Sequence, residues 1–170
     1  MIINDLLDKL HASDAFKKWK KEHEGYFLAH FFKMLDKENE ESWQIGYCNP
    51  DGFAIMTFLV AGDDISTMEE SKPFKKPDAI IQELNMEAVH IDWEEAMATA
   101  VAKQKKDYPK ELPMKVFFIL QNIDKEIVYN ITFFTQTFKA LNIRVHSESG
   151  EIIKEDLNQF FSSMDGQKDQ

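Results

Sequence analysis

The side chains able to do chemistry are few and scattered. His11, His23, His30, His90 and His146 are the five histidines. A zinc site needs several ligands converging, often at i, i+4 on a helix. Here only His23 with Glu22 or Glu24, and His90 with Asp92, stand close in sequence. No metal site and no cofactor is expected. Cys48 is the single cysteine, which rules out an intrachain disulfide. Beside a hairpin turn it reads as a structural thiol, since nothing local lowers its pKa or supplies a base. Asp63 and Asp64 are adjacent, so in a strand they face opposite ways and in a turn they are solvated. There is no GxGxxG and no phosphate loop, and no catalytic residue is assigned.

Two kinds of binding residue stand out instead. Trp43, Tyr47, Tyr129 and Phe133 are aromatic residues at strand spacing, candidates for a ligand groove if they are not simply core. Asp63, Asp64, Glu69 and Glu70 are candidates for an acidic patch. The formal charge of −10 over 170 residues opposes a phosphate backbone, so nucleic acid is not an expected partner. The lysines of "KKWKK" (17–21) and "KQKK" (103–106) suit the negative ends of helix dipoles.

The elements that would position these residues follow from apolar periodicity. Residues 3–22 read as helix, with a break at Ser13-Asp14 that can cap a second helix. Residues 26–35 read as a largely apolar strand, of a length that also allows a helix. Trp43, Ile45 and Tyr47 share one strand face, and Phe53, Ile55, Thr57 and Leu59 share one beyond "NPDG", a turn in which Pro50 and Gly52 meet the required backbone angles. Strands 43–48 and 52–60 should pair. The second is apolar on both faces and should be covered on both or lie at an interface. Residues 61–77 read as a linker and 77–85 as a short helix with Asp78 as N-cap. A clearer helix spans 92–106: Asp92 and Glu95 stand at capping-box spacing, and Trp93, Ala96, Met97, Ala100 and Val101 share a face. "MKVFFILQN" is a strand, 127–135 and 138–146 should form a hairpin, and 154–164 reads as a closing helix with Leu157, Phe160, Phe161 and Met164 inward.

The order helix, strand, strand, strand thus occurs twice, in 1–65 and 88–153. A gapless shift of 86 residues lays Phe31-Phe32 on Phe117-Phe118, Trp43, Ile45 and Tyr47 on Tyr129, Ile131 and Phe133, and Ala54-Ile55 on Ala140-Leu141. Agreement of element order and length is the signature of a repeat.

"IDWEEAMATA", "IVYNITFF" and "LNIRVHSESGEII" make the stretch from Ile91 to Ile153 resemble the PepSY domain. The resemblance covers about a third of the chain, and the first half would be a diverged second copy. It implies an antiparallel sheet with a helix packed across it, as in cystatin-like folds, and a binding or inhibitory module. It supplies no catalytic residue. The family's aspartate before the turn is replaced here by His146-Ser147.

The expectation is therefore an α+β fold: one globular domain over 1–170, antiparallel sheet packed with helices, in two α-β-β-β units that form either one continuous six-stranded sheet or two packed sheets. The expected function is a non-enzymatic binding or inhibitory module recognising a protein or peptide, with a homodimer possible. One alternative is an acidic antagonist of the immunity type, neutralising a basic toxin. The other is a small enzyme with a pocket at the repeat junction. No apolar run reaches the roughly 20 residues of a membrane span, and "MIINDLLDKL" lacks the features of a signal peptide. The expected location is cytoplasmic, or extracytoplasmic if a leader was removed.

Overall fold

The computed structural model describes residues 2–36, 38, 41–73, 75 and 78–159. Three helices, α1 (Ile3–Ala12), α2 (Asp14–Glu22) and α3 (Trp93–Asp107), accompany eight strands. The strands are β1 (Phe27–Leu35), β2 (Ser42–Cys48), β3 (Ile55–Ala61), β4 (Asp64–Thr67), β5 (Pro113–Ile123), β6 (Glu126–Thr135), β7 (Lys139–His146) and β8 (Ile152–Gln159). They form one antiparallel sheet of order β4-β3-β2-β1-β5-β6-β7-β8. The fold is α+β.

Local chemistry explains most boundaries. Ser13 ends α1 and caps α2, its Oγ accepting from Phe16 N at 3.2 Å. Asp92 caps α3 through Trp93 N at 2.9 Å. The "NPDG" turn closes with Gly52 N donating to Asn49 O at 3.0 Å, and Gly52 takes φ +75°. Between β5 and β6, Asp124 (φ 52°) and Lys125 (φ 72°) form a two-residue turn whose positive angles match the twist of a hairpin.

All three helices lie on one sheet face. There the strands contribute Phe31, Ile45, Phe58, Phe118, Leu120, Ile131, Leu141 and Ile143, none with measurable exposure. Each large apolar side chain buried this way stabilises the fold by roughly 1.5–3 kcal/mol. Phe16 of α2 packs on Tyr47 and Phe58 at ring distances of 5.2 and 5.4 Å. Ala96 and Ala100, fully buried, let α3 lie close against β6 and β7.

Four expectations are corrected. Residues 61–77 are not a linker throughout: Asp64–Thr67 is β4, and Ser71 exchanges two backbone bonds with Ile55. Each half therefore holds four strands rather than three. Residues 78–85 form no helix. They run as an extended strap, because an extended chain advances about 3.3 Å per residue against 1.5 Å in a helix and so can cross the sheet end, where Leu84 N donates to Leu28 O at 2.8 Å. A 3₁₀ turn follows only at Met86–Ala88. Residues 154–159 are strand, not helix, because β7 would otherwise leave its outer N–H and C=O groups unpaired. Leu157 pairs with Leu141 and stays 37% exposed, while Phe160, Phe161 and Met164 lie outside the described residues.

The fourth correction concerns the uniform shift of 86. It places Phe31, on the helix-covered face, on Phe117, on the other face. A one-residue slip in a strand flips every side chain. Matching core position to core position instead lays Phe31 on Phe118, Ile45 on Ile131 and Phe58 on Ile143. The shift is then 87 for β1, 86 for β2 and 85 for β3. Strand registers agree, since Phe31 pairs with Ile45 as Phe118 pairs with Ile131, and Ile45 with Phe58 as Ile131 with Ile143.

Candidate functional site

The second face of the sheet carries no helix. Along β1 and β5 it presents His30, Phe32, Phe117, Ile119 and Gln121, all half-buried, with Phe134 of β6 beyond them. Phe117 bridges the aromatics, 5.6 Å from Phe32 and 4.8 Å from Phe134. The strap passes over one side of this face. It is pinned at Leu84, and along its length Gln82 Oε1 accepts from Lys125 N and Glu83 O from Asn122 Nδ2, both at 2.9 Å. Ile81 packs into a small second-face cluster of Ala29, Cys48 and Ile55. At Ile55, its first residue, β3 is thus covered on its second face as well.

Between strap and sheet lies a cavity of about 790 Å³. Its volume is in the range of ligand sites. A smaller hollow of about 260 Å³ lies against Phe27, Asp51 and Phe53, sharing Lys75 and Asp78–Ile81 as a wall. On the rim, Ile80 is 83% and Phe53 73% exposed.

His30 owes its place to two local devices. A bulge between Leu28 and His30 breaks the alternation, so that Ala29 and His30 both face the cavity side. Bulges re-aim side chains in this way. Opposite His30 on β2 stands Gly46, and the imidazole lies over it. A Cβ there would sit 2.3 Å from His30 Cε1 and 2.7 Å from Nε2. On the other side His30 pairs with Gln121. Burial pulls the imidazole pKa down from 6.5 to about 4, so His30 is neutral at pH 7 and offers one donor and one acceptor. Nearby, Asn122 Oδ1 is buried without a hydrogen-bond partner among the described residues.

The residues singled out by sequence lie elsewhere. Trp43, Tyr47, Tyr129 and Phe133 are 5%, 4%, 0% and 1% exposed, all under the helices, and none lines the cavity. Trp43 packs edge-on to Trp93 at 5.4 Å, with the Lys33 ammonium 5.0 Å from its ring centre. Tyr47 meets His11 Nε2 through its hydroxyl at 2.7 Å, and Tyr129 donates to Ile91 O at 2.6 Å. They are core, the default reading for such a stripe, so the candidate groove along them does not form. The acidic candidates are split: Asp63 lies in the turn before β4 and Asp64 begins it, while Glu69 and Glu70 follow it. Asp63 pairs with Lys9 at 2.7 Å, and Glu70 accepts from the Tyr26 hydroxyl at 3.1 Å. Cys48 is fully buried, and burial raises its thiol pKa, which disfavours the thiolate. Among the described residues no three His, Cys, Asp or Glu side chains gather as a metal site would require.

A second polar cluster sits at the far end of the sheet. Glu111, 6% exposed, accepts from Thr135, from Thr137 and from Lys139 Nζ at 3.0 Å. The Thr137 hydroxyl, then the Lys139 ammonium, holds its carboxyl below the usual range. The partners of its carboxylate are the last residue of β6, the turn and the first residue of β7, so the cluster fixes that turn.

Sequence reading missed His30, Gln121, Asn122 and the strap. Gly46 was the available signal, because an isolated glycine inside a strand marks a close approach by another group.

No helix among the described residues is long and apolar enough to cross a membrane. No family model and no curated protein matches the chain. Among solved structures it is similar to a putative lipoprotein from Clostridium difficile 630, with a TM-score of 0.56 and 12% identity over 85% of this chain and 91% of that one. At that identity the likeness is one of fold: the chain shares its α+β architecture with that protein across nearly the whole length of both.

Proposed function

We propose that the protein is a non-enzymatic binding module that recognises a protein or peptide in the groove between strap and sheet. The observation that carries this reading is the cavity of about 790 Å³, floored by half-buried aromatics and rimmed by Ile80, with Phe53 exposed at the adjoining smaller hollow. Large apolar residues exposed around a concave site mark an interaction surface. The polar groups lining the cavity suit recognition rather than bond-breaking: the neutral His30 imidazole and the Gln121 carboxamide.

We also infer that the two halves are diverged copies of one unit. The matched registers of β1–β3 and β5–β7 support this reading, as does the meeting of the halves at β1 and β5. The cavity then lies at the junction of the copies, on the face away from the helices. The PepSY resemblance of the second half agrees with a binding role.

Selection of a random-peptide phage library on the protein tests the reading. Clones should be retained by the parent and released when Gln121→Trp fills the cavity. Equal retention by both proteins, or no selection at all, defeats the proposal.

A further inference from the structure

Over residues 78–83 the strap is lightly secured. Among the described residues, none of them shares a backbone–backbone hydrogen bond with the sheet; Leu84, 3% exposed, is the first that does. Lys75 Nζ donates to Ala79 O at 2.7 Å, along the segment and not to the sheet. What ties the stretch down is the bonding at Gln82 and Glu83 and the packing of Ile81. A stretch with few buried contacts and an exposed backbone opens at less cost than the whole domain unfolds. Two titratable side chains lie beneath it. Cys48, with no measurable exposure, sits in the cluster against which Ile81 packs. His30 lies over Gly46 on the cavity floor. This face carries no helix, so among the described residues the strap is the cover above the imidazole.

We propose that residues 78–83 lift from the sheet as a unit, with Leu84 as the fixed end, and that protonation of His30 favours the lifted form, so that acid opens the groove. The movement itself needs no ligand; its role as a gate for a peptide rests on the binding reading above. Lifting breaks the bonds to Lys125 N and from Asn122 Nδ2, withdraws Ile81 from Cys48, and lets water reach His30. Burial holds the covered imidazole at a pKa of about 4, against 6.5 in water. Between those values the lifted form takes up a proton that the closed form does not. Opening therefore increases as pH falls below 6.5, by about tenfold per unit, and levels off below about 4. The other titratable groups of the two hollows, among the described residues, are Asp78 and Lys75 at the strap, Asp124 in the β5–β6 turn and Asp51 in the β2–β3 turn, with Cys48 on β2. β5 and β6 line the cavity with neutral side chains. A His30 variant separates the imidazole from all of these.

Cys48, the single cysteine, reports the opening. The folded chain is reacted with dithiodipyridine from pH 7.5 to 4.5. Dividing each rate by that of the urea-unfolded chain at the same pH gives the fraction with Cys48 uncovered. Urea unfolding at each pH gives the fraction globally unfolded. Labelling should exceed global unfolding by roughly tenfold or more and change little in dilute urea, because lifting a short strap exposes little surface. Ile81→Ala should raise it several-fold. From pH 6.5 to 4.5 the uncovered fraction of the parent should rise about 100-fold. His30→Gln should match the parent at pH 7.5 and lose most of that rise. Labelling no faster than global unfolding overturns the strap movement. A parent curve that is flat, or parallel to that of His30→Gln, overturns the acid trigger. If labelling behaves as expected while the phage selection yields nothing, the strap movement stands and the binding reading falls. If selection succeeds while labelling tracks global unfolding, the groove binds peptides and this gate is refuted.

Discussion

His30 makes stability depend on pH in a calculable way. Its folded pKa is about 4 and its unfolded value 6.5, with desolvation as the cause. Between those values the unfolded chain holds the proton and the folded chain does not. Stability from this residue is therefore complete above pH 6.5, falls as pH drops through the window, and stops changing below about 4. Each pH unit is worth about 1.4 kcal/mol, so the full loss is about 3 kcal/mol. That is a large part of the stability of a typical domain. The charged groups facing the cavity, Lys75, Asp78 and Asp124, are at its edge, so burial dominates. Urea unfolding followed by tryptophan fluorescence at pH 7.5, 6.5, 5.5 and 4.5 measures the slope. His30→Gln removes the titrating group, and the difference between the two slopes isolates it from the carboxylates. Wild type should lose about 2–3 kcal/mol more than the variant across the window. Parallel slopes, or an NMR-titrated His30 pKa above 6, would refute the claim that the imidazole is desolvated against Gly46.

Three further outcomes are expected. Gly46→Ala should cost about 1–3 kcal/mol by overpacking, since the new Cβ meets the His30 ring. Combining it with His30→Ala should recover more than half of that loss in a double-mutant cycle, and additivity would show that the two positions do not touch. Glu111→Gln should destabilise by about 2 kcal/mol, because it loses charge-assisted bonds to Thr137 and Lys139. Since the folded Glu111 pKa lies below the usual carboxylate value, its contribution is present above that value and lost as pH falls through the folded one. An unchanged urea midpoint for Glu111→Gln at pH 7 would contradict this. Ser13→Ala should cost about 1 kcal/mol by removing the α2 cap, read as a shift in thermal midpoint. A shift within error would mean α2 is held by packing alone.

Whatever depends on neighbours in sequence was legible there. Alternation in β2, β3, β6 and β7, the Ser13 break, the "NPDG" turn and the Asp92 cap are short-range features, and the chain states them directly. Periodicity of two says that the faces of a strand differ, but not which layer covers each face. Trp43 and Tyr129 were correctly grouped with their strand neighbours, yet only the packing of α1, α2 and α3 assigns that face to the core. The uniform shift of 86 fails for the same reason: a bulge and turns of unequal length decide which strand residues face the core, and single letters do not record this. The strap and β8 were misread as helices because short apolar runs fit either period, and the competing demand was tertiary. One segment had to cross the sheet to reach Leu28, and the other had to pair an open edge. The cavity belongs wholly to that level. His30, Gly46 and Gln121 are remote in sequence, and only strand register, shifted by a bulge, sets the ring over the glycine and beneath the strap.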